Sequence, residues 1–234
     1  MIAVLKRELG AYFSSPIGYV YLGVFYLLTG YFFFAGVLFS NRSDMSPVFQ
    51  VMMNIVMFLT PVLTMRLMSE DLRHRTDQAL LTAPISLGAI AGGKFLAAAV
   101  VYTAGVSMTM VYSIVVEALA QVNWAIVLGS YIGILLLGFA FIAIGQFISA
   151  LTENQAIAAI GCFTAVLVIF LMDALIDIVP NPLLRTLLQG ISFMRRYTPI
   201  TNGILSISSL VFFISVCGIF LFLTTRVLEK RRWS

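Results

Sequence analysis

Six long apolar runs, separated by short polar breaks, set the pattern of this chain. They cover residues 17–39, 48–65, 93–116, 122–151, 156–179 and 203–225. A helix needs roughly 20 apolar residues to cross a hydrocarbon core of about 30 Å, so each run predicts one crossing. The breaks carry residues that stop or start helices: Asn41-Arg42-Ser43-Asp44, Thr152-Glu153-Asn154-Gln155 and Pro180-Asn181-Pro182. Thr152 or Asn154 suits a helix N-cap. Ahead of the first run, Ile2, Leu5, Leu9 and Phe13 recur at three- and four-residue spacing with Lys6, Arg7 and Glu8 between them. That spacing predicts an amphipathic helix over 1–13 lying at the membrane interface, apolar side in lipid. Ser14-Ser15-Pro16 then breaks it. The expected fold is an all-α polytopic membrane protein with six transmembrane helices.

Composition agrees with the pattern. Of 234 residues, 61% are hydrophobic and 10% charged. After six spans, the longest connections hold about 20 residues, too few for an independent core, so residues 1–234 form one membrane domain. The charged start and the length of the first apolar run argue against a cleavable signal. Lys and Arg are counted by side of the membrane. With the N-terminus inside, Lys6, Arg7, Arg66, Arg73, Arg75, Lys94, Arg226, Lys230, Arg231 and Arg232 are inside, and Arg42, Arg185, Arg195 and Arg196 outside. The bias places both termini in the cytoplasm. It also accounts for the net charge of +4 without a nucleic-acid partner.

The chemistry visible in the sequence is sparse. One histidine, His74, and two cysteines in apolar runs, Cys162 and Cys217, give no metal site, disulfide framework or catalytic constellation. Gly88-Ala89-Ile90-Ala91-Gly92-Gly93-Lys94-Phe95 nearly fits a phosphate-binding loop, but Phe95 stands where a magnesium-binding hydroxyl is required. No nucleotide or other cofactor is expected on this chain.

The largest charged segment follows the second run. Glu70 and Asp71 suit a helix's first turn, and Pro84 stops a helix, so residues 69–84 predict a short cytoplasmic helix. Leu72, Thr76, Ala79, Leu80 and Ala83 can gather on one face. Two readings compete: a docking element for a soluble partner, or a solvated loop that sets topology. Alternatives also stay open elsewhere. Glu117, Asp173 and Asp177 lie near span ends; they are either interfacial or line a pathway or outer mouth. Gly129 and Gly133, four apart, mark close helix contact, within one subunit or across a dimer seam. Tyr12, Tyr19, Tyr21, Trp124, Tyr197 and Trp233 near span ends read as interface anchors.

The run Arg66, Glu70, Thr76, Leu80, Leu81, Pro84 and Gly93-Lys94 resembles the cytoplasmic loop of ABC-2-type transporter permeases. Leu151-Thr152-Glu153-Asn154-Gln155 resembles that family's junction of fourth and fifth spans. Asn202-Gly203-Ile204 resembles the start of its last span, and Leu228-Glu229-Lys230-Arg231-Arg232-Trp233 its basic tail. The likeness is strongest to short six-span permeases of gliding-motility and nitrous-oxide-reductase-maturation type. The string Arg75-Thr76-Asp77-Gln78-Ala79-Leu80-Leu81-Thr82-Ala83-Pro84 is similar to Gram-positive versions, although the family often carries Gly before the Thr and Glu two after it, where this chain has Arg75 and Gln78.

The resemblance implies a type V ABC exporter-like membrane domain in a bacterial cytoplasmic (inner) membrane. It implies a dimer with a second copy or a homologous permease, and two separate ATPase subunits that hold ATP and magnesium. An accessory protein with an extracytoplasmic domain is a further implied partner. Residues 1–13 would be the elbow helix. Residues 69–84 would be the coupling helix, with Glu70, Asp71, Arg73, Arg75, Thr76, Asp77, Leu80, Leu81 and Pro84 facing the ATPase. Residues 183–202 would form helical hairpins capping the pathway outside. The chain itself would be no enzyme. The alternative is a non-ATP-driven channel or secondary transporter, a class that more often places charge or broken helices at mid-membrane depth.

Overall fold

The polar break at 152–155 holds the helix cap expected of it, and Asn123, Asn181 and Ser86 add three more. In the computed structural model, which describes residues 1–39, 45–76, 85–119, 121–176, 180–204 and 206–232, the regular structure of those residues is helical, with no strand among them. The helices are α1 (Ile2–Ser14), α2 (Pro16–Phe33), α3 (Ser46–Thr64), α4 (Ser69–Arg73), α5 (Leu87–Met108), α6 (Met110–Leu119), α7 (Trp124–Leu151), α8 (Gln155–Leu175), α9 (Pro182–Ile191), α10 (Phe193–Thr201) and α11 (Ile207–Arg232). Asn154 is the N-cap of α8, its side chain accepting from the backbone N–H of Ala156 and Ile157. Asn123, Asn181 and Ser86 do the same for α7, α9 and α5. Each cap satisfies a backbone donor that the first helical turn leaves unpaired.

Among the described residues, six helical segments are long and apolar enough to cross a membrane: Pro16–Leu38, Ser46–Arg73, Leu87–Leu119, Trp124–Leu151, Gln155–Leu175 and Ile207–Arg232. The protein is a multi-pass helical membrane protein by length and composition. Its centre is α3 and α7. In each, 61% of the most apolar window is buried, against 17% in α8 and α11. Accordingly α7 touches α3, α5, α8, α10 and α11, while α8 and α11 leave long apolar faces open.

Several boundaries differ from the sequence expectation. The third run starts at Leu87, not near Gly93, and is broken at Thr109. The Thr109 hydroxyl donates to the Val106 carbonyl at 2.7 Å, an alternative to the regular helical bond. The first run ends in a π-helical turn, Phe34–Leu38. The last begins at Ile207 and absorbs the basic tail to Arg232, where cations favour a helix C-terminus. The connection expected over 183–202 is the helix pair α9 and α10.

The helix expected over 69–84 is broken near its start. The helix α4 closes at Arg73, Arg75 takes a positive φ of 55°, the left-handed conformation that ends many helices, and Thr76 is helical again. Residues 77–84, with Asp77, Leu80, Leu81 and Pro84, lie outside the described residues. Tyr12, Tyr21 and Tyr197, expected at the interface, are buried, while Tyr19 and Trp124 are exposed as expected; Trp233 lies outside the described residues.

Candidate functional site

The densest polar chemistry among the described residues lies where α1, α4 and α5 meet. Lys94 sits in the second turn of α5, between Gly93 and Phe95. Its side chain is only 3% exposed, and its ammonium reaches Glu8 Oε1 at 3.1 Å and Asp71 Oδ2 at 2.6 Å. It also donates to the backbone carbonyl of Leu67. An ammonium has three donors, and all three are used. Close approach makes this possible. A Cβ on Gly93 would lie 2.9 Å from the Val4 Cβ and 3.1 Å from the Met1 carbonyl oxygen, so glycine lets α1 lie directly on α5.

Asp71 is the shared acceptor. Besides Lys94, it takes Arg7 Nη2 on Oδ2 at 3.1 Å and the Thr76 hydroxyl on Oδ1 at 2.7 Å. Burial alone would lower the Arg7 pKa; the hydrogen bond to Glu8 and the nearby Asp71 charge outweigh it and hold the guanidinium above its ordinary value. Arg66 forms a second bridge. Its Nε pairs with Glu70 Oε2 at 2.9 Å. Its Nη1 donates to Ser15 Oγ at 2.6 Å, and its guanidinium stacks over the Tyr12 ring at 5.4 Å. Tyr12 in turn donates to the Leu63 carbonyl at 2.7 Å. Arg7, Arg66 and Lys94 balance Glu8, Glu70 and Asp71. Lys94, Arg66 and Glu8 are buried, and such charges persist only when paired and hydrogen-bonded, whereas Arg7 and Glu70 stay partly in contact with solvent. An open cleft of about 270 Å³ runs over the cluster, with His74 and Thr76 on its rim.

The end of α7 completes the junction. Ser149 Oγ accepts from the backbone N–H of Met68 and Ser69 and donates to Met65 O at 3.0 Å. Gln146 donates to Ala91 O at 2.9 Å. A small apolar cluster of Met68, Ile90, Ala91, Ala150 and Leu228 packs beside these bonds. The segment after the second span is therefore fixed at its root by α1, α5 and α7 together.

Of the loop residues singled out from sequence, Glu70, Asp71 and Thr76 join this cluster, while Arg73 and Arg75 are exposed beside it. Leu72, expected on the apolar face of the loop helix, is turned inward and buried. Glu8, Arg7 and Lys94 were not expected at a site. The available signal was Lys94 itself, a lone cation inside an apolar helix, which demands a counter-ion.

The other polar candidates do not converge. Glu117 accepts from Val122 N at 3.0 Å and closes the turn into α7. Asp173 accepts from Met194 N at 2.9 Å, at the first turn of α10. Asp177 lies outside the described residues. Gly129 and Gly133 face the chain's own α10. A Cβ on Gly129 would lie 2.4 Å from the Ile200 carbonyl oxygen, and one on Gly133 would lie 3.1 Å from the Tyr197 ring. Both therefore serve contact within one subunit. Among the described residues, no group of three or more His, Cys, Asp or Glu side chains could hold a metal ion.

Fold and junction together define a multi-pass helical membrane protein whose second-span loop is ion-paired to its N-terminal helix. No family model matches the chain, and no curated protein matches it.

Proposed function

We propose that this chain is the membrane subunit of a bacterial ATP-driven transporter of the ABC-2 type, moved by separate cytoplasmic ATPases. The observation that carries this reading is Lys94, clamped between Glu8 of α1 and Asp71 of α4. A partner can do work on a membrane domain only by binding two of its states with different affinity. That work must reach the spans through a stiff connection. Here the root of the 66–84 segment is tied to α1 by Arg7, to α5 by Lys94, which also holds Glu8 of α1, and to α7 by Ser149. A force applied to the loop is thus passed to three elements at once. The Lys and Arg bias supports placing this end in the cytoplasm, and the motifs at 66–94, 151–155, 202–204 and 228–233 support the family resemblance.

In this reading two copies, or this chain and a homologue, form the pathway, and two ATPases grip the 69–84 loops. An accessory extracytoplasmic protein fits the same arrangement. The test is co-purification in mild detergent followed by ATP hydrolysis. The wild-type chain brings down an ATPase; Leu80→Asp loses it while remaining membrane-inserted. An ATPase retained by Leu80→Asp with undiminished coupled transport contradicts the docking role.

A further inference from the structure

A chamber lies at the end of the bundle opposite the ion cluster. Its main part, about 810 Å³, is bounded by the last two turns of α8, by α10 and by the turn at 202–204. Met194, Thr198 and Asn202 also line a smaller recess of about 150 Å³ that reaches α3 and α7. The larger volume falls in the roughly 300–1,000 Å³ range of small-molecule sites.

One wall is apolar, made by Phe170, Ala174, Met194, Pro199 and Ile204. Ala174 is exposed on the apolar side that α8 leaves open, with Leu171 one turn before it and Leu175 directly after, and Ile204 is exposed across from it. The wall therefore runs into the surface that hydrocarbon covers in a membrane. The remaining lining holds one charge of each sign, Asp173 and Arg195. Asp173 is half-buried in the last turn of α8, where the helix dipole disfavours a carboxylate. Its Oδ2 accepts from the Met194 N–H at 2.9 Å. Its other oxygen has no partner among the described residues and remains an open acceptor. Arg195 is exposed and bonded elsewhere in the protein; its fork of five N–H donors serves those bonds and a ligand together. The Asn202 side-chain amide is exposed, makes no hydrogen bond to a described residue and adds two more donors.

This balance of charge selects the ligand. A simple cation drawn to Asp173 meets Arg195, and a simple anion drawn to Arg195 meets Asp173. A zwitterion satisfies both. The open carboxylate oxygen calls for an N–H donor. A trimethylammonium has none and favours a cage of rings, whereas Phe170 is the only ring among the described lining residues. We propose that this chamber binds a phosphoethanolamine group carried on its lipid. The ammonium donates to Asp173, the phosphate accepts from Arg195 and Asn202, and the start of the hydrocarbon lies along Phe170, Pro199 and Ile204. The inference stands apart from the ATP-driven reading, since binding needs neither nucleotide nor ATPase.

The experiment uses the purified full chain in nanodiscs of phosphatidylcholine, phosphatidylglycerol and phosphatidylethanolamine in equal parts. Lipid that stays on the released protein is read by native mass spectrometry. Phosphatidylethanolamine is retained in preference to the other two. Asp173→Asn keeps an acceptor for the Met194 N–H but removes the charge. It lowers that retention roughly tenfold, the scale of one charge-assisted hydrogen bond, with the thermal midpoint unchanged. Asn202→Leu lowers retention several-fold and decides alone if the Asp173 variant loses stability. Soluble glycerophosphoethanolamine separates the sources: failure to displace the lipid shows that the hydrocarbon is needed, and displacement shows that the head group alone suffices. Equal retention of the three lipids, or wild-type retention in a stable Asp173→Asn, overturns the proposal and leaves Asp173 as a cap for α10 only.

Discussion

Lys94 and Arg75 carry the residue-scale argument. Removing one member of a buried, hydrogen-bonded ion pair leaves its partners unsatisfied and costs about 3 kcal/mol or more. Lys94→Met is therefore expected to lower the thermal midpoint in detergent markedly while leaving the protein inserted; a midpoint equal to wild type would remove the clamp from the account. Arg75 is held at a φ of 55°, which a side chain disfavours by about 1–2 kcal/mol and glycine does not. Arg75→Gly should accordingly raise the midpoint slightly and Arg75→Val lower it; the opposite order would contradict the left-handed turn. Glycine is also the residue often found there in the permeases that this chain resembles. The acidic first turn at Glu70 and Asp71 and the stop at Pro84 pointed to one unbroken helix, and the structure breaks it at His74 and Arg75. Residue types alone could not show that the Thr76 hydroxyl would reach Asp71.

At the scale of elements, the apolar runs and polar breaks were enough to locate six spans and the Asn154 cap between the fourth and the fifth. Hydrophobic periodicity reports length and face, and both are local properties. What periodicity could not report is which faces meet. In α1 the stripe Ile2, Leu5, Leu9 and Phe13 is exposed or half-buried, as expected of a lipid-facing side. The opposite line of Val4, Glu8 and Tyr12 is the one buried in the protein. A charged Glu8 on an interior face is intelligible only with Lys94 beside it, 86 positions away in sequence by the two residue numbers. The small residues of α7 illustrate the same limit. Their pattern announced close contact but not the partner, which is α10 of the same chain at Gly129 and Gly133. Gly129→Ala places a methyl against the Ile200 carbonyl oxygen, a backbone atom, and overpacking of this kind costs about 1–3 kcal/mol. Thermal midpoint should fall while the oligomeric state seen by light scattering stays the same. A variant that dissociates with unchanged midpoint would instead place Gly129 on a seam between subunits.

For the whole molecule, the two ends of the bundle differ in kind. One end gathers three cations, three carboxylates and the root of the second-span loop. The other carries a chamber against α10 in which one carboxylate and one guanidinium face an apolar wall. From the Lys and Arg distribution we propose that the first end faces the cytoplasm. A single cysteine introduced at Ser43 should then react with an impermeant maleimide from outside the cell, and one at Thr76 only after permeabilisation; the reverse labelling would invert the orientation and with it the role of the loop. The central claim is that a separate nucleotide-hydrolysing protein grips this loop and supplies all the force. It is tested most directly by placing a photo-crosslinking amino acid at Arg73, an exposed position beside the ion cluster, and irradiating native membranes. The account predicts one dominant adduct, whose partner by mass spectrometry carries ATP-binding motifs and whose yield falls with Leu80→Asp. Adducts only to lipid or to another copy of this chain would contradict it.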